Sequence, residues 1–116
     1  FSFLTFQVDA PQHFDAVVAD RAGRVREIQV KAPRPASTWI WGAMKMPGRT
    51  FHALRDLWLA RSCEDEYLGT LVNAWIAGGG EAWSAPLGEG YVDVGTLNGY
   101  REALGLLSQT PQPQPR

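Results

Sequence analysis

Leu68, Leu71, Val72, Trp75 and Ile76 recur at i, i+3, i+4, i+7 and i+8, and Gly78-Gly79-Gly80 follows them. That spacing lines one face of a helix with apolar side chains, and glycine readily ends a helix because it accepts backbone conformations that other residues avoid. Such a short amphipathic helix gains most of its stability from burying its apolar face, so another layer of the chain must receive it.

The first part of the sequence supplies strands for that layer. Phe1 to Val8 alternates as a strand does, and Asp9-Ala10-Pro11 breaks the run because proline removes a ladder donor. Since Phe1 opens inside an alternating segment, the chain is expected to have begun earlier. Phe14 to Ala19 and Val25 to Lys31 are β-prone runs joined by Asp20-Arg21-Ala22-Gly23, the composition of a hairpin turn. Ala32 to Ser37 contains two prolines and reads as an extended connection to a further strand, Trp39 to Met46.

Helices follow. Phe51, Leu54, Leu57 and Trp58 are spaced for a helix to about Arg61, with Thr50 as its expected cap. Glu64-Asp65-Glu66 reads as acidic charge at the start of the helix through Leu68 to Ile76. Ala82 to Pro86 and Tyr91 to Val94 read as short strands around Gly88-Glu89-Gly90, and Thr96 caps a last helix through Leu97, Tyr100, Leu104 and Leu107. The order of strands before helices suits an α/β or α+β layer in which helices cover a sheet, in one domain over residues 1–109. Residues 110–116, rich in proline and glutamine, read as a disordered tail.

Eleven basic and twelve acidic residues are mixed along the chain, for a formal charge of −1. No basic footprint for nucleic acid or an anionic membrane is present. No apolar run approaches the roughly 20 residues of a membrane-spanning helix, and the first residues lack the pattern of a secretory signal. One cysteine, Cys63, allows no intramolecular disulfide and no zinc site of its own, which suits a reducing compartment; the expected location is cytoplasmic. His13 and His52 are far apart with no other ligand at metal spacing, and no serine lies in a nucleophile-elbow pattern. The oligomeric state is open, a homo-oligomer included.

Chemistry concentrates in Tyr91-Val92-Asp93-Val94-Gly95-Thr96-Leu97-Asn98-Gly99-Tyr100-Arg101-Glu102-Ala103. A carboxylate leaving a strand end before a glycine turn and a helix start is well placed for a ligand in an α/β protein, and it suits a hard cation such as Mg²⁺. The competing reading of Asp93 is a turn-capping acid.

The run Asp93-Val94-Gly95-Thr96 followed by Gly99-Tyr100-Arg101-Glu102-Ala103 closely resembles the C-terminal signature of sugar-1-phosphate nucleotidyltransferases of the thymidylyl- and uridylyltransferase group. Gly23-Arg24-Val25 with Ile28 and Val30-Lys31 resembles the hairpin that ends in that family's Glu-Lys-Pro motif. Trp39-Ile40-Trp41-Gly42-Ala43 resembles the strand that approaches the sugar, and Gly69 with Val72 to Ala77 the helix between the sugar and metal segments. The resemblance spans Phe14 to Leu107. It implies a partial Rossmann-like nucleotide-diphospho-sugar transferase fold and formation of a nucleotide sugar and pyrophosphate from a nucleoside triphosphate and a sugar 1-phosphate.

Carried over residue by residue, the resemblance makes Asp93 a metal-binding, catalytic aspartate for Mg²⁺ and Lys31 the lysine that meets the sugar phosphate, with Trp41 and Gly42 beside the substrate. Two departures stand out. Val30 replaces the glutamate that accepts bonds from sugar hydroxyls, and Ala32 replaces the following proline. The family's glycine-rich nucleotide loop and first metal aspartate have no counterpart here, so the chain as it stands is expected to lack activity. The alternative is a non-catalytic module of the same type that binds a sugar phosphate or a protein.

Overall fold

The computed structural model describes residues 1–109; the proline-glutamine tail expected at 110–116 lies outside the described residues. Five strands and three helices run in the order β1 (Ser2–Gln7), β2 (Ala16–Ala19), β3 (Val25–Gln29), β4 (Trp39–Lys45), α1 (Gly48–Ala60), α2 (Leu68–Ala77), β5 (Trp83–Gly88) and α3 (Leu97–Gln109). The strands form one mixed sheet, β3-β2-β4-β1-β5, and the fold is α/β, one of the two layers that the order of strands and helices suits. Only β1 and β5 pair in parallel; the β1–β4, β2–β3 and β2–β4 pairs are antiparallel.

The expected turn joins β2 to β3. Gly23 donates its N–H to the Asp20 carbonyl (2.9 Å) and has φ +88°, a left-handed backbone that favours glycine. The Asp20 carboxylate closes the turn from inside, accepting the N–H groups of Ala22 (2.9 Å) and Arg24 (3.0 Å). Beyond the turn the two ends of the sheet meet. Ser84 N–H donates to the Gly23 carbonyl (2.7 Å) and Val25 N–H to the Ala82 carbonyl (2.8 Å), so β3 and β5 are linked at one end although both are outer strands.

The core forms where this curled sheet receives α2. Phe3, Val17, Val25, Ile28, Val72 and Ala82 are buried together, and Trp75, Ile76 and Leu68 pack against them. The glycine stop behaves as its composition implies: α2 ends at Ala77, and Gly79 takes φ +97°. Asn73 also reaches the outer edge of β3. Its side-chain amide donates to the Ile28 carbonyl and its carbonyl accepts the Ile28 N–H, both at 2.7 Å, which satisfies backbone groups that an outer strand otherwise leaves unpaired.

Four expectations change in detail. The second hairpin strand stops at Gln29, and Lys31 lies beyond it in a turn at φ 47°. The first long helix starts at Gly48 after an extended Pro47, so Thr50 sits inside its first turn and no side chain caps it. The Glu64-Asp65-Glu66 cluster does not head α2, whose first turn holds no acid; Asp65 instead makes a two-bond pair with Arg61 at 2.7 and 2.9 Å. Residues 91–94 form no strand. β5 ends at Gly88, its last partner being Phe6, and no further strand lies beside residues 91–94 for ladder bonds.

Candidate functional site

Four segments converge on a cleft of about 210 Å³ lined by Phe14, Asp15, Lys31, Trp41, Gly42, Tyr91 and Asp93. The antiparallel β2–β3 pairing creates the first half of it. Asp15 immediately precedes β2 and Lys31 follows β3, and because Ala16 pairs with Gln29 these two flanking residues meet at the same end of the hairpin. The Lys31 N–H donates to Asp15 Oδ1 (3.3 Å) while Lys31 Nζ donates to the His13 carbonyl (3.1 Å). Both bonds hold a lysine in a left-handed backbone conformation that a residue with a Cβ occupies at a cost of about 1 kcal/mol or more.

Strand β4 contributes the floor. Leu4 pairs with Ala43 and Thr5 with Trp41, which leaves Gly42 as the extra residue of a β-bulge. A Cβ at Gly42 would lie 2.6 Å from Phe6 Cε2 and 2.9 Å from Tyr91 Cε2, so the absent side chain is what lets the Tyr91 ring lie against the strand. Trp41 packs on Phe3 (ring centroids 5.9 Å apart), and its indole Nε1 is buried without a hydrogen-bond partner among the described residues.

Aromatic packing, rather than ladder bonds, positions the third part. The Tyr91 ring meets Phe6 and Phe14, each with centroids 5.4 Å away, the second edge-on. Two residues on, the exposed Asp93 accepts the Gly95 N–H at Oδ1 (2.9 Å), the turn-forming bond of a short acidic side chain. Its Oδ2 has no protein partner among the described residues. Thr96 Oγ1 accepts the Gly99 N–H (3.1 Å), which is the expected helix cap. Gly99 is buried because the Asp93 carbonyl rests where its Cβ would be, so the start of α3 and the Asp93 backbone are locked together.

Lys31, Trp41, Gly42 and Asp93, the four residues singled out in the sequence, thus border one cleft. Three further lining residues were not singled out. Tyr91 belongs to the same run as Asp93, Phe14 opens the β2 segment, and Asp15 carries no signal of its own, being an acid before a strand. Val30 is not among the lining residues. It follows the β3 alternation and points at α2, where a Cβ on Gly69 would come within 2.7 Å of Val30 Cγ2.

The carboxylates of Asp15 and Asp93 are the anionic groups of the cleft and Lys31 its cation. No group of three or more histidine, cysteine, aspartate or glutamate side chains able to hold a metal occurs among the described residues. Mg²⁺ needs no such group, since it keeps several waters and takes one or two carboxylates plus phosphate oxygens. Asp93, with one carboxylate oxygen unengaged, fits that demand. No helix among the described residues is long and apolar enough to cross a membrane. No protein-family model matches this chain, and no curated protein matches it.

Proposed function

We propose that this chain forms the sugar-phosphate and metal side of the site of a sugar-1-phosphate nucleotidyltransferase, on one part of a Rossmann-like nucleotide-diphospho-sugar transferase fold. One observation carries the reading. Lys31, Trp41, Gly42 and Asp93, which the resemblance draws from three separate motifs, all border the same cleft.

In this reading the sugar 1-phosphate enters the cleft with its phosphate toward Lys31. Releasing the Lys31 ammonium from the His13 carbonyl exchanges a neutral acceptor for a charged one, which strengthens its hydrogen bond. The Tyr91 ring, which lies against β4 because Gly42 has no side chain, shields the sugar from water. Asp93 would hold Mg²⁺, and the ion, when bound, would neutralise charge on the phosphates. A phosphate oxygen of the sugar phosphate attacks the α-phosphate of a nucleoside triphosphate, pyrophosphate leaves, and a nucleotide sugar forms. Such transfer depends mainly on positioning and charge neutralisation, which is what one ammonium and one carboxylate supply.

The nucleotide loop and the family's first metal aspartate would come from another part of a larger cytoplasmic enzyme. Gly78-Gly79-Gly80 does not substitute, because it follows a helix C-terminus, where carbonyls rather than N–H groups face outward. The 116-residue chain alone is therefore expected to release no pyrophosphate from any nucleoside triphosphate.

The test is a titration of the isotope-labelled chain with α-D-glucose 1-phosphate, with and without MgCl₂, followed by amide NMR. Shifts should centre on Asp15, Lys31, Gly42 and Asp93. Lys31→Ala should weaken binding on the order of tenfold, and Asp93→Asn should remove the magnesium dependence while sparing metal-free binding. Absence of binding, or binding indifferent to both changes, would sink the assignment. Pyrophosphate release by the chain alone would overturn the division of the site.

A further inference from the structure

Val30 leaves the cleft without the carboxylate that the resemblance leads one to expect, yet the cleft does contain a carboxylate with no assigned work. Asp15 is half-buried at the cleft wall, between Phe14 and the first residue of β2. Its protein bond is the long one from the Lys31 N–H to Oδ1, at 3.3 Å. It makes no ion pair among the described residues; the nearby Lys31 ammonium turns to the His13 carbonyl instead. An ionised carboxylate offers about four acceptor positions, so most of the capacity of Asp15 is unused by the protein.

A free carboxylate beside a phosphate-binding lysine opposes phosphate binding, since like charges repel across a partly desolvated cleft. It becomes favourable when the ligand also brings donors. Hydroxyl groups are such donors, and their bonds to an ionised acceptor are about twice as strong as neutral ones. Phe14 and Tyr91 on the same wall give a sugar ring apolar atoms to lie against. The volume, about 210 Å³, lies below the roughly 300–1,000 Å³ of pockets for larger ligands and suits a single ring.

We infer that Asp15 is the hydroxyl acceptor of this site, taking over from the position occupied by Val30, and that it selects a monosaccharide phosphate bearing free ring hydroxyls over phosphate itself. The inference rests on the reading of Lys31 as the phosphate-binding group. It places recognition on the strand-entry residue of β2 rather than on the residue before the lysine, because the β3 alternation turns residue 30 toward α2.

The experiment compares the full chain with its Asp15→Asn variant, which keeps the shape and an oxygen able to accept the Lys31 N–H. Each is titrated with inorganic phosphate, with α-D-glucose and α-D-mannose 1-phosphates, and with their monodeoxy analogues. Amide NMR spectra of the variant verify its fold. Asp15→Asn should weaken at least one hexose 1-phosphate about tenfold, leave inorganic phosphate unchanged or tighter, and lose its effect on the analogue lacking the contacted hydroxyl. Equal weakening of phosphate and sugar phosphate overturns the inference, because Asp15 would then act only by holding Lys31. So does an unchanged affinity, or an effect confined to the magnesium midpoint. Lys31→Ala separates the two claims: if it leaves phosphate and hexose phosphate binding intact, the underlying reading fails and takes this inference with it. Loss on Lys31→Ala without hydroxyl dependence at Asp15 overturns the Asp15 assignment alone.

Discussion

Helices α2 and α3 show the same apolar periodicity and opposite fates. On α2, Val72 is fully buried and Leu71 is 7% exposed; on α3, Leu107 is 70% exposed, Leu97 65% and Tyr100 53%. The stripe on α2 lies in the core, and Asn73 binds the helix to the β3 backbone. The stripe on α3 faces outward, and the firm attachment of that helix is its first turn, through Thr96, Gly99 and the Asp93 carbonyl. The contrast teaches that helical spacing of apolar residues shows a face that can be buried without showing what buries it.

The largest effect that would test this contrast is at Gly69, in the first turn of α2. A Cβ there would meet Val30 Cγ2 at 2.7 Å and Ile28 Cγ2 at 2.8 Å, both on β-branched residues with little freedom to move. Gly69→Val should destabilise the chain by about 3 kcal/mol in a denaturant titration. Next is Asn73→Ala, which leaves the Ile28 N–H and carbonyl without partners and should cost about 2 kcal/mol. Its readout is faster hydrogen exchange at Ile28 together with the lower midpoint.

The corresponding change on α3 should behave differently. Leu104→Ser combined with Leu107→Ser should alter stability by no more than about 0.5 kcal/mol while reducing any self-association seen by sedimentation, since these side chains are exposed. A loss of about 2 kcal/mol would mean that α3 packs as α2 does, and the comparison would collapse.

The smallest effect concerns acid. The Asp20 carboxyl is held below its ordinary 3.8, first by the Arg24 N–H and, against the opposing effect of desolvation, by Arg26 and the Ala22 N–H. A lowered carboxylate value stabilises the fold above its unfolded value, and this contribution fades as pH falls through 3.8 toward the folded value. Asp20→Asn should therefore flatten the acid limb of the stability profile below about pH 4 and have its largest cost near neutrality. The same sign applies to Asp65, lowered by its bonds to Arg61 in the α1–α2 connection.

Much of the fold was legible because its signals are local. The β2–β3 turn follows from Asp20 and Gly23, the end of α2 from three glycines, and the α3 cap from Thr96. The errors occurred where a local signal had two outlets. An acid near a helix start can serve the helix or a neighbouring arginine, and Asp65 serves Arg61. A β-prone run such as Tyr91 to Val94 becomes a strand only beside a partner, and past Gly88 none is available.

The cleft divides along the same line. Lys31, Trp41, Gly42 and Asp93 were reached through the resemblance, whose motifs are contiguous along the chain. Asp15 could not, because a carboxylate acquires meaning here only when antiparallel pairing of Ala16 with Gln29 sets it against Lys31. The direction of Val30 likewise depended on the face of β3 that α2 covers. Sequence by itself determined a layer of strands covered by helices and the principal turns and caps, since backbone propensity and side-chain period act over a few neighbours. Tertiary structure decided which apolar stripe was buried, which acid reached the cleft, and how Tyr91 brought Asp93 to it, since each rests on contacts between residues distant along the chain.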